Sequence, residues 1–229
     1  MNLLFVGLPG SGVKTAASEA ASSLGRRFVD TDEVLARNLK LSLQDVYSLF
    51  TPSTLSELVR KLASQLAEGN EWCIAVGDAL FMDPGARRIL TSSGYTVYLT
   101  CAPGDVTEPD EPAHPLLARG TDRLTGLYAE RKALYKETAD LIVEGCVTDP
   151  AKAAASAVER FLQDEASRAD RIRRDRFLEK DLADLRKRLE TRYRLFGASE
   201  EVAEGYVESV ITAVRQADRS IKEQMDHGM

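Results

Sequence analysis

The sequence predicts a three-layer α/β/α domain built on a parallel sheet, followed by a C-terminal helical extension. Three observations carry this. Through the first two-thirds of the 229 residues, apolar runs of strand length alternate with segments patterned at three- and four-residue spacing. Strands separated by helices imply parallel neighbours joined by right-handed crossovers. A glycine-rich turn joins the first apolar run to the first helical segment. Beyond about Glu165 the pattern changes to dense charge around an apolar stripe, which places the α/β domain at 1–164 and a helical hairpin at 165–229.

Each element follows in order. Residues 3–6 are apolar and end at Gly7, as a buried parallel strand does. Residues 14–24 are rich in Ala and Ser and are closed by Gly25, a helix with its stop. Phe28 and Val29 form a strand whose end carries Asp30 and Asp32. Residues 42–50 and 55–66 show helical periodicity, and 72–76 and 94–99 read as buried strands. Residues 103–115, rich in Pro, Asp and Glu, predict a loop. A helix over 124–135, a short strand over 141–143 and a closing helix over 150–162 complete the domain. In the extension, Leu178, Leu182, Leu185, Leu189 and Phe196 form one stripe, and Gly197 stops that helix. Ser199 caps a second helix with Glu200 and Glu201 in its first turn and Val207, Val210, Val214, Ala217 and Ile221 along one face.

Composition narrows the class. The net charge of -6 argues against a nucleic-acid binder, which carries a basic footprint. No stretch approaches the ~20 apolar residues of a membrane span, and the apolar start lacks the basic region of a signal peptide. Cys73, Cys101 and Cys146 are widely spaced, and the only histidines are His114 and His227, so neither a zinc site nor a disulfide framework is expected. Buried thiols and a cytoplasmic location follow. The arginines from Arg168 to Arg194 are interleaved with Asp170, Asp175, Glu179, Asp181 and Asp184, the pattern of a solvated, ion-paired helix. The leucine stripe still needs a cover, and a homodimer through the C-terminal helices is one way to provide it.

The chemistry lies in the first domain. Gly7-Leu8-Pro9-Gly10-Ser11-Gly12 sits between a strand and a helix, where backbone N–H groups and a helix N-terminus face a phosphate. A tight turn without a ligand is the alternative. The complete motif continues Gly-Lys-Ser/Thr; here Gly12 is followed by Val13-Lys14-Thr15. Further along stand Asp30-Thr31-Asp32, Ala75-Val76-Gly77-Asp78-Ala79, His114-Pro115-Leu116-Leu117, and Arg131-Lys132-Ala133-Leu134-Tyr135 before Ala139-Asp140-Leu141. Taken in order, over roughly residues 1–163, these motifs resemble those of the shikimate kinase family, with the same spacing between loop and Asp-x-Asp.

That resemblance implies a P-loop kinase fold, ATP and Mg2+ as cofactors, and a small-molecule substrate. It implies nucleotide contacts at Gly7, Pro9, Gly10, Ser11, Gly12, Lys14 and Thr15, and substrate contacts at Asp32, Gly77 and Arg131. Asp32 and Lys14 are then the catalytic candidates, and Asp30 and Thr15 the metal candidates. Several positions depart from the family pattern. Val13 stands where the family has its lysine, and Lys14 stands at its metal-binding Ser/Thr. Ser56 stands where a second arginine would grip the substrate carboxylate, Asp78 replaces a glycine, and His114 replaces a lid arginine. Three cations are thus lost from their places and one anion is gained where anions would bind. The expectation is a member whose shikimate phosphorylation is weak or lost. An active kinase with a rearranged loop and a non-catalytic protein acting through its C-terminal helices are the alternatives.

Overall fold

The first strand, β1 (Asn2–Gly7), is buried along almost its whole length. It lies at the centre of a five-stranded, wholly parallel sheet of order β2-β3-β1-β4-β5. The other strands are β2 (Arg27–Asp30), β3 (Trp72–Ala75), β4 (Gly94–Thr100) and β5 (Leu141–Glu144). The helices are α1 (Val13–Leu24), α2 (Thr31–Leu39), α3 (Leu43–Leu49), α4 (Pro52–Ala67), α5 (Asp78–Met82), α6 (Pro84–Ser93), α7 (Thr121–Thr138) and α8 (Pro150–Phe196). This computed structural model describes residues 1–106, 115, 121–144, 149–196, 205 and 209–212.

The period-two alternation of β1 divides the core. Leu3 and Phe5 join Cys73, Val97, the alanines of α1 and Phe161 of α8 in one cluster. Leu4 and Val6 join Ile74, Tyr98, Leu62 of α4 and Tyr135 of α7 in the other. Small side chains on α1 (Ala16, Ala17, Ala20 and Ala21, all buried) fit that helix to its place in the first cluster. Asn2 is buried and ties the start of the central strand to the segment entering β3: its amide donates to the Gly69 carbonyl at 3.0 Å and its oxygen accepts from the Trp72 N–H at 3.1 Å.

The structure departs from the sequence expectation in three places. Asp32 lies within a helix and not at a strand end, because Asp30 caps α2 by accepting from the N–H groups of Asp32 and Glu33. No element is expected between residues 76 and 94, yet α5 and α6 lie there. Helix α6 is nucleated by Asp83, whose carboxylate accepts from the Ala86 N–H at 2.8 Å, with Pro84 in the first turn. Helix α8 does not close near residue 162. It runs unbroken to Phe196, since no glycine or proline falls between residues 151 and 196. Two compact units, Met1–Phe161 and Leu162–Met229, are distinguished. The expected stop at Gly197 lies outside the described residues, as does most of the second tail helix apart from Gly205 and 209–212. Cys73 and Cys101 are buried free thiols, and Cys146 is outside the described residues. Among the described residues no helix is long and apolar enough to cross a membrane.

Candidate active site

All the described candidate residues belong to the unit Met1–Phe161, and the loop after β1 supplies the first group. Gly10 and Gly12 adopt φ of 80° and 82°, a left-handed backbone that favours glycine. The Ser11 N–H closes the turn onto the Leu8 carbonyl at 3.0 Å, with Leu8 and Ser11 buried. Gly12 is the N-cap of α1, so the first-turn N–H groups of Val13, Lys14 and Thr15 have no acceptor within the helix. Such a turn presents backbone donors and a helix N-terminus to an anion.

The side chains on that turn are directed elsewhere. Val13 is half-buried against the apolar cluster beneath α1. Lys14 reaches across to α2, where its Nζ lies 2.7 Å from Glu33 Oε1 and 3.1 Å from Asp30 Oδ2. Burial lowers its pKa, but the hydrogen bonds to Glu33 and Asp30 outweigh that and hold the ammonium above its ordinary value. Thr15 is exposed. With the Lys14 ammonium already on Asp30, a dication placed there meets a like charge, so Asp30 does not fit magnesium as the side chains stand. Among the described residues no group of three acidic, His or Cys side chains forms a metal site either.

The second group gathers where β3 ends. The Gly77 N–H donates to Thr31 Oγ1 at 2.7 Å, which fixes the start of α2 against the start of α5. A Cβ on Gly77 would fall inside the Asp32 carboxylate; only glycine lets Asp32 pack there. Asp78, next in sequence, is ion-paired to Nη1 of Arg131 on α7, 53 residues away. Both side chains are nearly buried, at 7% and 8% exposure. Arg131 Nε is buried without a hydrogen-bond partner among the described residues.

Two tyrosines complete the group. Burial, then the charges of Asp78 and Asp32, push the Tyr47 phenol well above its ordinary pKa, only partly offset by the Ala79 backbone and Arg131. Burial and Asp78 do the same to Tyr135, against Arg131. Both phenols therefore stay protonated at neutral pH. Tyr135 stacks between Phe81 and Tyr98, with ring centroids at 4.8 Å and 5.0 Å, and so anchors α7 one turn beyond Arg131.

Ser56 is engaged with a different carboxylate. Its Oγ donates to Asp83 at 2.5 Å, and Arg60, one turn on, holds both oxygens of the same carboxylate. Burial raises the Asp83 carboxyl, but hydrogen bonds from Arg60, Ser56 and the Ala86 N–H hold it well below the usual carboxylate range.

The fold thus brings Asp32, Gly77, Asp78 and Arg131 into one cluster and Lys14 onto Asp30. His114 and Arg119 are outside the described residues, and nothing is described of the Arg123 side chain. Sequence reasoning missed Glu33, Tyr47 and the role of Tyr135. Tyr47 carries a signal, as the one aromatic on an otherwise short helix; Glu33, in the first turn of α2, a helix the sequence expectation lacks, carries none.

A family model described as shikimate kinase matches residues 9–163. The shikimate kinase of Paracidovorax citrulli is 30% identical over 149 residues, covering 62% of this chain and 81% of that one. That of Aromatoleum aromaticum is 28% identical over 149 residues, covering 63% and 85%. Among solved structures, shikimate kinase from Acinetobacter baumannii in complex with shikimate superposes with a TM-score of 0.65 at 23% identity, covering 71% of this chain and 93% of that one. Shikimate kinase from Aquifex aeolicus gives 0.58 at 25% identity, covering 74% and 98%.

Proposed function

Since the chain belongs to the shikimate kinase family, we propose that it is a divergent member in which phosphoryl transfer from ATP to shikimate is weak or lost. The observation that carries this reading is the engagement of Lys14. The one lysine on the loop is held by Asp30 and Glu33, and Val13, in the lysine's expected place, packs on the core. No cation from the loop itself is then left to meet charge developing on a transferred phosphoryl group. Removing one preorganised donor of that kind costs on the order of 10²- to 10³-fold in rate.

The glycine turn remains suited to a polyphosphate, Gly7 to Gly12 with Thr15 as backbone contacts, and Asp32 remains as an acceptor for a substrate hydroxyl. These retained parts favour a second reading, a kinase acting on another small hydroxylated compound. We place the protein in the cytoplasm, with self-association through the C-terminal helices, where Leu162, Ile172 and Leu182 are exposed. A coupled assay with ATP, magnesium and shikimate tests the main reading: turnover at least ~10³-fold below that of an intact family member is expected, and ordinary turnover refutes it.

A further inference from the structure

We propose that the acceptor pocket of this protein takes a small, uncharged polyhydroxylated compound instead of a carboxylic acid, with Asp78 occupying the place where a ligand carboxylate would pair with Arg131. This deepens the second reading above, an acceptor other than shikimate, and it concerns the ligand side of the site alone.

The resemblance assigns Arg131 to a substrate carboxylate. In this chain the guanidinium is already ion-paired by Asp78, from the residue next to Gly77, and both partners are more than nine-tenths buried. A ligand carboxylate would have to displace an intramolecular one that is tethered in place and needs no association entropy. It would also enter a cluster holding two carboxylates, Asp32 and Asp78, against one guanidinium. Like charges brought together out of water repel strongly. Ser56, in the place of the second arginine, brings no relief, because its hydroxyl is committed to Asp83.

The polar groups bordering the pair suit hydroxyls. Asp32 accepts a hydrogen bond. Tyr47 and Tyr135 border the same charges as neutral phenols. Arg131 Nε is a buried donor without a partner among the described residues, and a buried donor is costly unless an acceptor reaches it. A ligand hydroxyl oxygen supplies that acceptor without adding charge. An ammonium group does not, since it has no lone pair to offer and would face the guanidinium.

Calorimetric titration of the full chain with shikimate and with its primary amide, an isostere lacking the charge, tests the proposal, with and without a non-hydrolysable ATP analogue. The amide is expected to bind at least ~10-fold more tightly than shikimate. Asp78→Gly is expected to reverse that order, and Asp78→Asn, which keeps the side-chain shape should the glycine variant misfold, to remove most of the discrimination. Shikimate binding as tightly as the amide overturns the proposal, and so does binding of neither. Because the readout is affinity, a failed shikimate kinase assay leaves this proposal standing. Ordinary shikimate turnover with the amide still preferred would sink only the reading of lost activity.

Discussion

Replacing Arg131 by methionine is expected to cost about 3–5 kcal/mol of stability, the typical loss when one partner is removed from a buried ion pair. The magnitude follows from where the pair sits. Asp78 and Arg131 expose 7% and 8% of their side chains, so water does not replace the lost guanidinium. The orphaned carboxylate is left beside Asp32, and the two elements it joined, α5 and α7, lose a polar tie between segments 53 residues apart. Urea unfolding followed by the fluorescence of Trp72, the single tryptophan, reads the change directly. With a urea dependence of about 1–3 kcal/mol/M, a loss of this size shifts the midpoint by roughly 1–5 M. Removing the carboxylate as well, in Asp78→Ala with Arg131→Met, is expected to recover a large part of the loss, since the uncompensated charge causes most of it. Arg60→Met is the internal control: Arg60 also pairs with a carboxylate but is 53% exposed, and its loss is expected to fall well short. If Arg131→Met loses less than about 1 kcal/mol, or the double variant recovers nothing, the description of a desolvated pair is wrong.

The double change Val13→Lys with Lys14→Ser is expected to raise ATP affinity and to make it dependent on magnesium, because Asp30 is then released from the ammonium; calorimetry with and without the metal checks both. Asp83, with its carboxyl held low in the folded state, contributes stability that is complete above its ordinary value near 4 and is lost as pH falls through that value. Chemical denaturation at pH 5 and pH 3 is therefore expected to show a steeper acid loss for the native chain than for Asp83→Asn. Truncation after residue 164 is expected to leave a folded monomer while the full chain dimerises. Light scattering that finds both forms monomeric removes the C-terminal helices as the interface.

The sequence made the sheet legible because its strands are short apolar runs punctuated by glycine or charge, and β1 through β5 fall within a residue or two of expectation. It failed at α2 because Asp30 is at once the last residue of a strand and the cap of a helix, a double role that periodicity does not reveal. At α6 a helix containing Gly85 and ending in Thr91, Ser92 and Ser93 has weak propensity, and its cap, Asp83, decides the outcome. The helix expected to close near residue 162 runs on because the change of composition near Glu165 brings no glycine or proline, and nothing between residues 151 and 196 breaks a helix. Within the candidate site, the loss of cations could be read one residue at a time. Their redistribution could not: that Lys14 turns to Asp30 and Glu33, and that Asp78 holds Arg131, are facts of three-dimensional neighbourhood between residues 16 to 53 positions apart.

Arg131 is held on two sides, by the stacked Tyr135 on its own helix and by Asp78 at the first turn of α5. Only the second hold depends on the identity of residue 78. Aspartate and glycine codons differ by a single base, so the route between an internally paired arginine and a vacant one is one mutational step, with the aromatic anchor of α7 untouched along the way. On the proposed reading of the site, that one step exchanges the charge of the preferred ligand, and it leaves Arg131 buried without its partner until a ligand carboxylate takes that place. Position 78 is where a survey of natural variants should find that exchange recorded.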